Sequence, residues 1–135
     1  MAGLTVNEGL VYFANLLYKG GTQYNLTLGL FTNAAGTLSE SSVWADITQP
    51  GTGSGYEERS LSQGSFTVDA QGDVTYSPQQ QWTATADWTG GDVTGYYIRN
   101  QDPSPKLVHI QYRDSGTFPM TNGRVYTVDL TVDTS

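Results

Sequence analysis

The sequence predicts an all-β fold: an antiparallel β-sandwich or jelly-roll-like arrangement with one N-terminal α-helix, forming a single domain over residues 1–135. Three observations carry this expectation. Apolar residues recur with period 2 in segment after segment from Tyr24 onward, and turn signals separate the segments roughly every 8–12 residues. Only 14% of residues are charged while glycine contributes 16 residues, a surface of hydroxyls and turns rather than of solvated helices. The one helical periodicity lies at the N-terminus and breaks at Gly20-Gly21.

The helix is expected over residues 6–19. Thr5 and Glu8 have the spacing of a capping box, and Leu10, Phe13, Ala14 and Leu17 recur at i, i+3, i+4 and i+7. Val11 and Leu16 widen this stripe beyond what one sheet face covers, and Lys19 lies at the negative end of the helix dipole. Leu10, Phe13 and Leu17 are therefore expected in the core, with Val11 and Leu16 reaching a neighbouring chain.

A half-buried strand follows, with Leu26, Leu28 and Leu30 on one face and Thr27, Gly29 and Phe31 on the other. Residues 33–36 read as a turn and Ser42 to Asp46 as a single helical turn anchored by Trp44 and Ile47. Residues 48–55, TQPGTGSG, form a long flexible loop. Strands are expected at 56–61, 64–68 and 74–76, the last two joined by a hairpin turn at 69–73. Further strands are expected at 82–88, 93–99, 107–113 and 125–132, which gives about seven or eight in all.

Composition excludes several function classes. Cysteine is absent, so disulfides, thiolate nucleophiles and cysteine-bound zinc are excluded. A single histidine, His109, excludes a histidine-rich metal site. The formal net charge of −7 disfavours nucleic acid as a partner. No long apolar run suggests a membrane span, and residues 1–5 lack the basic start of a signal peptide.

Candidate chemistry is sparse. His109 lies opposite in parity to Val108, Ile110 and Tyr112, which suggests a solvated strand face. No G-x-S-x-G elbow is present. Glu57 and Glu58 are adjacent, and successive strand residues point to opposite faces, so they do not form a facing carboxylate pair. Asp69-x-Gln71-x-Asp73 resembles the opening of a calcium loop, but Val74 stands where glycine belongs and Gln80 where glutamate belongs; a hairpin turn explains it better. No catalytic, cofactor-binding or metal-binding residue is assigned, and the chain reads as a non-enzyme without cofactor.

The aromatic residues are the strongest signal: three tryptophans, nine tyrosines and four phenylalanines. Such side chains serve cores and interfaces alike. Trp82 and Trp88 alternate with small alanines, which favours packing, whereas Tyr96 and Tyr97 cannot both face one core. The candidate interface residues are Val11, Leu16, Trp44, Tyr56, Tyr96 and Tyr97.

These segments together carry a resemblance. The N-terminal V-N-E-G-L helix leads into L-x-L-G-L-F-T-N (Leu26 to Asn33); Trp44 to Asp46 precedes G-Y-x-x-R (Gly55 to Arg59); V-x-G-Y-Y (Val93 to Tyr97) is followed by an L-V-x-I strand. Over nearly its whole length the chain resembles small virion β-sandwich proteins of tailed bacteriophages, of the capsid decoration or cement type. The resemblance implies a structural protein that coats a capsid by binding the major capsid protein, often as a homotrimer, on the virion surface after assembly in the host cytoplasm. It implies no catalytic residue. An alternative is a tail or fibre component that binds a receptor or carbohydrate. The loop at 48–55 and the D-P-S-P turn depart from the family pattern. In this reading the trimer is held by the helix and the Trp44 region, and loop 48–55 with the Tyr56 strand meets the capsid.

Overall fold

The computed structural model describes residues 3–132. Within them lie one α-helix, α1 (Asn7–Lys19), two single 3-10 turns (Trp44–Asp46 and Gln63–Ser65) and ten strands. The strands are β1 (Leu4–Thr5), β2 (Leu26–Phe31), β3 (Arg59–Leu61), β4 (Phe66–Val68), β5 (Val74–Tyr76), β6 (Gln80–Thr83), β7 (Gly95–Asn100), β8 (Leu107–Tyr112), β9 (Val125–Val128) and β10 (Thr131–Val132). They form a five-stranded sheet in the order β1-β8-β7-β2-β3, a three-stranded sheet β10-β5-β4 and a two-stranded sheet β6-β9. Every pairing is antiparallel.

The centre of the large sheet is β2 paired with β7, from Leu26 opposite Asn100 to Phe31 opposite Gly95. Opposed residues share a face. Leu28 and Leu30 therefore stand with Ile98 and Tyr96 on one side, and Phe31 and Gly29 with Gly95 and Tyr97 on the other. Both faces are covered, so β2 is buried from Thr27 to Phe31 rather than half-buried as its alternation suggests. On the first face the core joins Leu28, Leu30, Tyr96 and Ile98 to Trp82 of β6, Tyr126 and Val128 of β9, and Leu130 between β9 and β10. On the second, Val6, Phe31, Tyr97, Leu107 and Ile110 pack under Leu38, Trp44 and Ile47 from the segment after β2.

The helix departs most from expectation. Its N-cap is Val6, with no side-chain cap, and Glu8 does not turn back to Thr5. The Glu8 carboxylate instead accepts from the Trp44 and Leu107 amides at 3.1 and 2.7 Å, tying α1 to the 44–46 turn and to β8. The C-terminus follows the sequence reading: Gly20 is left-handed (φ 63°), and the Gly21 amide donates to the Asn15 carbonyl. The buried residue of the helix is Gly9. A Cβ there would lie 2.7 Å from the Val108 carbonyl oxygen, so the helix backbone rests directly on β8. That close approach rotates Gly9, Tyr12 and Leu16 inward. Leu10, Phe13 and Leu17, expected in the core, are 52%, 41% and 76% exposed.

Three other expectations are corrected. The strand expected over 82–88 ends at Thr83. Ala84 still donates to Arg124 beside β9, but from Thr85 on the chain is held by loop 48–55: the Thr85 amide and the Trp88 indole both donate to the Ser54 carbonyl. Gly55 (φ 95°) lets that loop pass against the Thr83 carbonyl. The strand expected over 125–132 is divided. β9 pairs with β6, β10 with β5, and the Leu130 carbonyl accepts from Tyr76 at the crossing. Tyr56 lies outside β3, which begins at Arg59. The turn at 69–73 forms as its sequence suggests. One Asp69 carboxylate oxygen accepts from the amides of Gln71 and Asp73, both at 2.9 Å, so its charge organises the turn.

Candidate functional site

Two arrangements concentrate the side chains that sequence analysis singled out, one polar and internal, the other apolar and on the surface.

The internal one is built on Gly29. Because glycine stands opposite Tyr97 on β2, the phenol ring lies flat across the strand; a Cβ at Gly29 would overlap its hydroxyl and ring, with Cε1 at 2.7 Å. The Tyr97 hydroxyl donates to Glu58 at 2.5 Å. Arg99, two residues along β7 on the same face, grips the same carboxylate with two N–H bonds of 2.8 Å. The Arg99 guanidinium also lies 5.2 Å from the centre of the Trp44 ring, which packs on Tyr97. Tyr56 completes the cluster. Its hydroxyl donates to Gln49 at 2.7 Å and accepts from the Leu30 amide at 3.2 Å, covering the edge of β2 beyond the reach of β3.

The electrostatics of this cluster are those of a fastening. Burial alone raises the Glu58 carboxyl, but hydrogen bonds from Arg99 and Tyr97 and the Arg99 charge hold it below its ordinary range. Hydrogen bonding to Glu58 raises Arg99. Burial pushes the phenols of Tyr56 and Tyr97 up, and Tyr96 up to about 12. At neutral pH the carboxylate is ionised, the guanidinium charged and the phenols protonated, with their partners drawn from the same chain. Glu57 turns away and pairs with Arg59 at the surface, as the opposite facing of adjacent residues requires. Among the described residues no three of His, Asp and Glu gather at metal-binding distance, and no helix is long and apolar enough to cross a membrane.

The surface arrangement is centred on α1. A groove of about 620 Å³ runs beside the helix and brings together Val11, Tyr12, Leu16 and Val43, with Asn7, Asn15 and Lys106 as polar neighbours. The Tyr12 hydroxyl accepts from the Tyr24 amide at 2.7 Å and fixes the groove floor. Around the helix from the groove, Leu10, Leu17 and Tyr18 face outward, the last 81% exposed, and Phe13 lies at the edge of that face with one side against the sheets.

The candidate interface residues thus separate. Val11 and Leu16 share the groove, Val11 exposed and Leu16 half-buried. Trp44 is half-buried beside Arg99 and joins the helix only through its backbone bond to Glu8. Tyr56, Tyr96 and Tyr97 are interior residues, at 4%, 7% and 0% exposure, and present no surface to a partner. Tyr96 and Tyr97 do point to opposite faces, but each face has its own core. His109 is also interior, 1% exposed, because the face it occupies is roofed by the three-stranded sheet.

Comparison with protein-family models finds no match to the chain, and no curated protein matches it.

Proposed function

We propose that the chain is a structural, non-enzymatic virion protein of a tailed bacteriophage, of the capsid decoration type, that acts through protein–protein contacts made by α1. In this reading the three sheets form a β-sandwich that serves as a rigid mount. The helix is the adhesive element, the chain is a homotrimer, and its target is the major capsid protein on the head surface.

The observation that carries the proposal is the outward face of α1. The helix reaches its own chain through Gly9, Tyr12, Leu16, one side of Phe13 and the Glu8 carboxylate, which leaves Leu10, Val11, Leu17 and Tyr18 in solvent. Burying one such side chain fully is worth about 1.5–3 kcal/mol, so a partner covering several supplies the driving force of a stable contact. A standard interface buries on the order of 800 Å² per partner, within reach of a helix face and the adjoining groove. The internal cluster supports the same reading: Glu58, Tyr97 and Arg99 cross-link segments of the chain and leave no free acid or base at that place. A sugar-binding role gains less support. The Trp82 and Trp88 indoles donate to backbone carbonyls, and the Trp44 face is covered by Arg99.

The test is a binding experiment with phage heads that lack the chain. The expected result is saturable co-sedimentation with heads and a higher temperature of head disruption. Co-sedimentation with isolated tails and not with heads would overturn the proposal in favour of a tail component.

A further inference from the structure

Between the five-stranded and three-stranded sheets lies a cavity of about 240 Å³. Leu26 and Ile98 form one wall, Phe66 and Val74 the other, and Phe13 of α1 closes one side. In this apolar lining the polar groups are Thr5 and His109, which are paired across β1 and β8. His109 is 1% exposed; neither ring nitrogen has a partner in good hydrogen-bond geometry, and its Nε2 edge lies beside Gly3 and the Gln111 side-chain oxygen, a weak interaction that only partly offsets burial. The Gln111 side-chain oxygen beside it already accepts from the Tyr96 hydroxyl at 2.7 Å. Buried polar groups are almost always satisfied, and one left alone costs about 1–3 kcal/mol. An orphaned imidazole lining an apolar cavity is the signature of a site with an apolar body and one polar anchor.

We propose that this cavity binds a small apolar molecule bearing a single hydroxyl group, an aromatic or aliphatic alcohol, with His109 as its hydrogen-bonding anchor. A neutral imidazole offers one donor and one acceptor, and a hydroxyl both donates and accepts, so it satisfies whichever nitrogen meets it. A carboxylate or ammonium group would carry an uncompensated charge into an apolar enclosure, which is far more costly. Burial pushes the imidazole down to about 4, with Gln111 opposing the shift, so the anchor is uncharged at neutral pH. Size sets the other limit. An apolar cavity of about 150 Å³ accepts benzene, so this one suits roughly eight to ten non-hydrogen atoms. A lone water is a poor occupant, because it needs two to four polar partners and leaves most of the apolar volume unfilled.

The probes are 2-phenylethanol and ethylbenzene, nearly equal in shape and differing in the hydroxyl. Titration of the isotope-labelled full chain, followed by NMR, is expected to give saturable shifts at Ile98, Phe66 and the His109 ring nitrogens. The alcohol is expected to bind about five- to tenfold more tightly, the worth of one hydrogen bond. In His109→Leu the two probes are expected to bind equally, and in Val74→Phe, which fills the space, neither is expected to bind. The wild-type imidazole shift is read without any variant, so a substitution that fails to fold leaves the test intact. Absence of saturable shifts, equal affinity of the two probes for the wild type, or shifts confined to the outer face of α1 would each overturn the assignment.

Discussion

Acid should weaken this protein through His109, by an amount that follows from its burial. In the unfolded chain the imidazole has an ordinary value near 6.5; in the folded chain burial pushes it down to about 4. Around it lie Gly3 and Thr5 of the N-terminal segment, the Gln111 side chain and the Tyr96 ring, 6.3 Å between centroids, none of them charged. Between the two values the unfolded state binds the proton and the folded state does not, so stability rises with pH there and falls as pH drops. Each unit is worth roughly 1.4 kcal/mol, so lowering the pH from 7 to 4 removes about 3 kcal/mol through this residue. His109→Leu deletes the titration and both unpartnered nitrogens while keeping an apolar side chain of similar bulk. Urea unfolding of both proteins at pH 7, 5.5 and 4 isolates the effect, because every carboxylate contributes equally to the two curves. At pH 7 the variant should equal or exceed the wild type, and by pH 4 the gap in its favour should widen by about 3 kcal/mol. Parallel pH dependences, or a variant much weaker at pH 7, would refute the reasoning.

Three further outcomes follow from the same contacts. Gly9→Ala should destabilise the fold by about 1–3 kcal/mol in urea unfolding although alanine is the better helix former, because the added methyl meets the Val108 backbone at 2.7–2.8 Å. Gly29→Ala should cost a similar amount and displace the Tyr97 ring, seen as changed Tyr97 ring shifts in NMR, since the methyl occupies the space of the phenol. Glu58→Gln should lower stability at pH 7 by about 1–2 kcal/mol, a value between exposed and buried ion pairs that matches side chains still 18% and 24% exposed. Because the folded-state carboxyl lies below its ordinary range, that difference should shrink as pH falls through the carboxylate range.

The elements most legible in the sequence are those specified locally. The alternation from Leu26 to Phe31, the Asp69 to Asp73 turn and the Gly20 helix stop each depend on residues within a few positions, and each forms where it is read. The face of the helix was not legible. The stripe Leu10, Phe13, Leu17 reads as a core face, but a glycine at position 9 permits direct backbone packing on β8, and that approach decides the rotation. A glycine within an otherwise strong helix was the available signal. The parity read for His109 holds against Ile110 but not against Val108, which lines the same inter-sheet cavity where the β7–β8 register shifts, and its expected exposure fails because alternation does not say whether a face is covered. The Glu58 cluster leaves no local trace: its carboxylate meets an arginine 41 positions away, and only Gly29 opposite Tyr97 marks where the ring must lie. The sequence over-extends strands 82–88 and 125–132 because period 2 persists through residues that change partners at Thr85 and at Leu130.

The central claim, that the outer face of α1 is an interface, is tested most directly by sedimentation velocity of the wild type and Leu17→Asp at micromolar concentration, with thermal melts in parallel. Leu17 is 76% exposed, so the substitution should leave the stability of the isolated chain within about 0.5 kcal/mol. The account predicts a wild-type trimer that persists at high salt, since apolar contacts are not screened, and a monomeric variant of similar intrinsic stability. A wild type that is monomeric both alone and on the head, or a variant that remains trimeric, would contradict it.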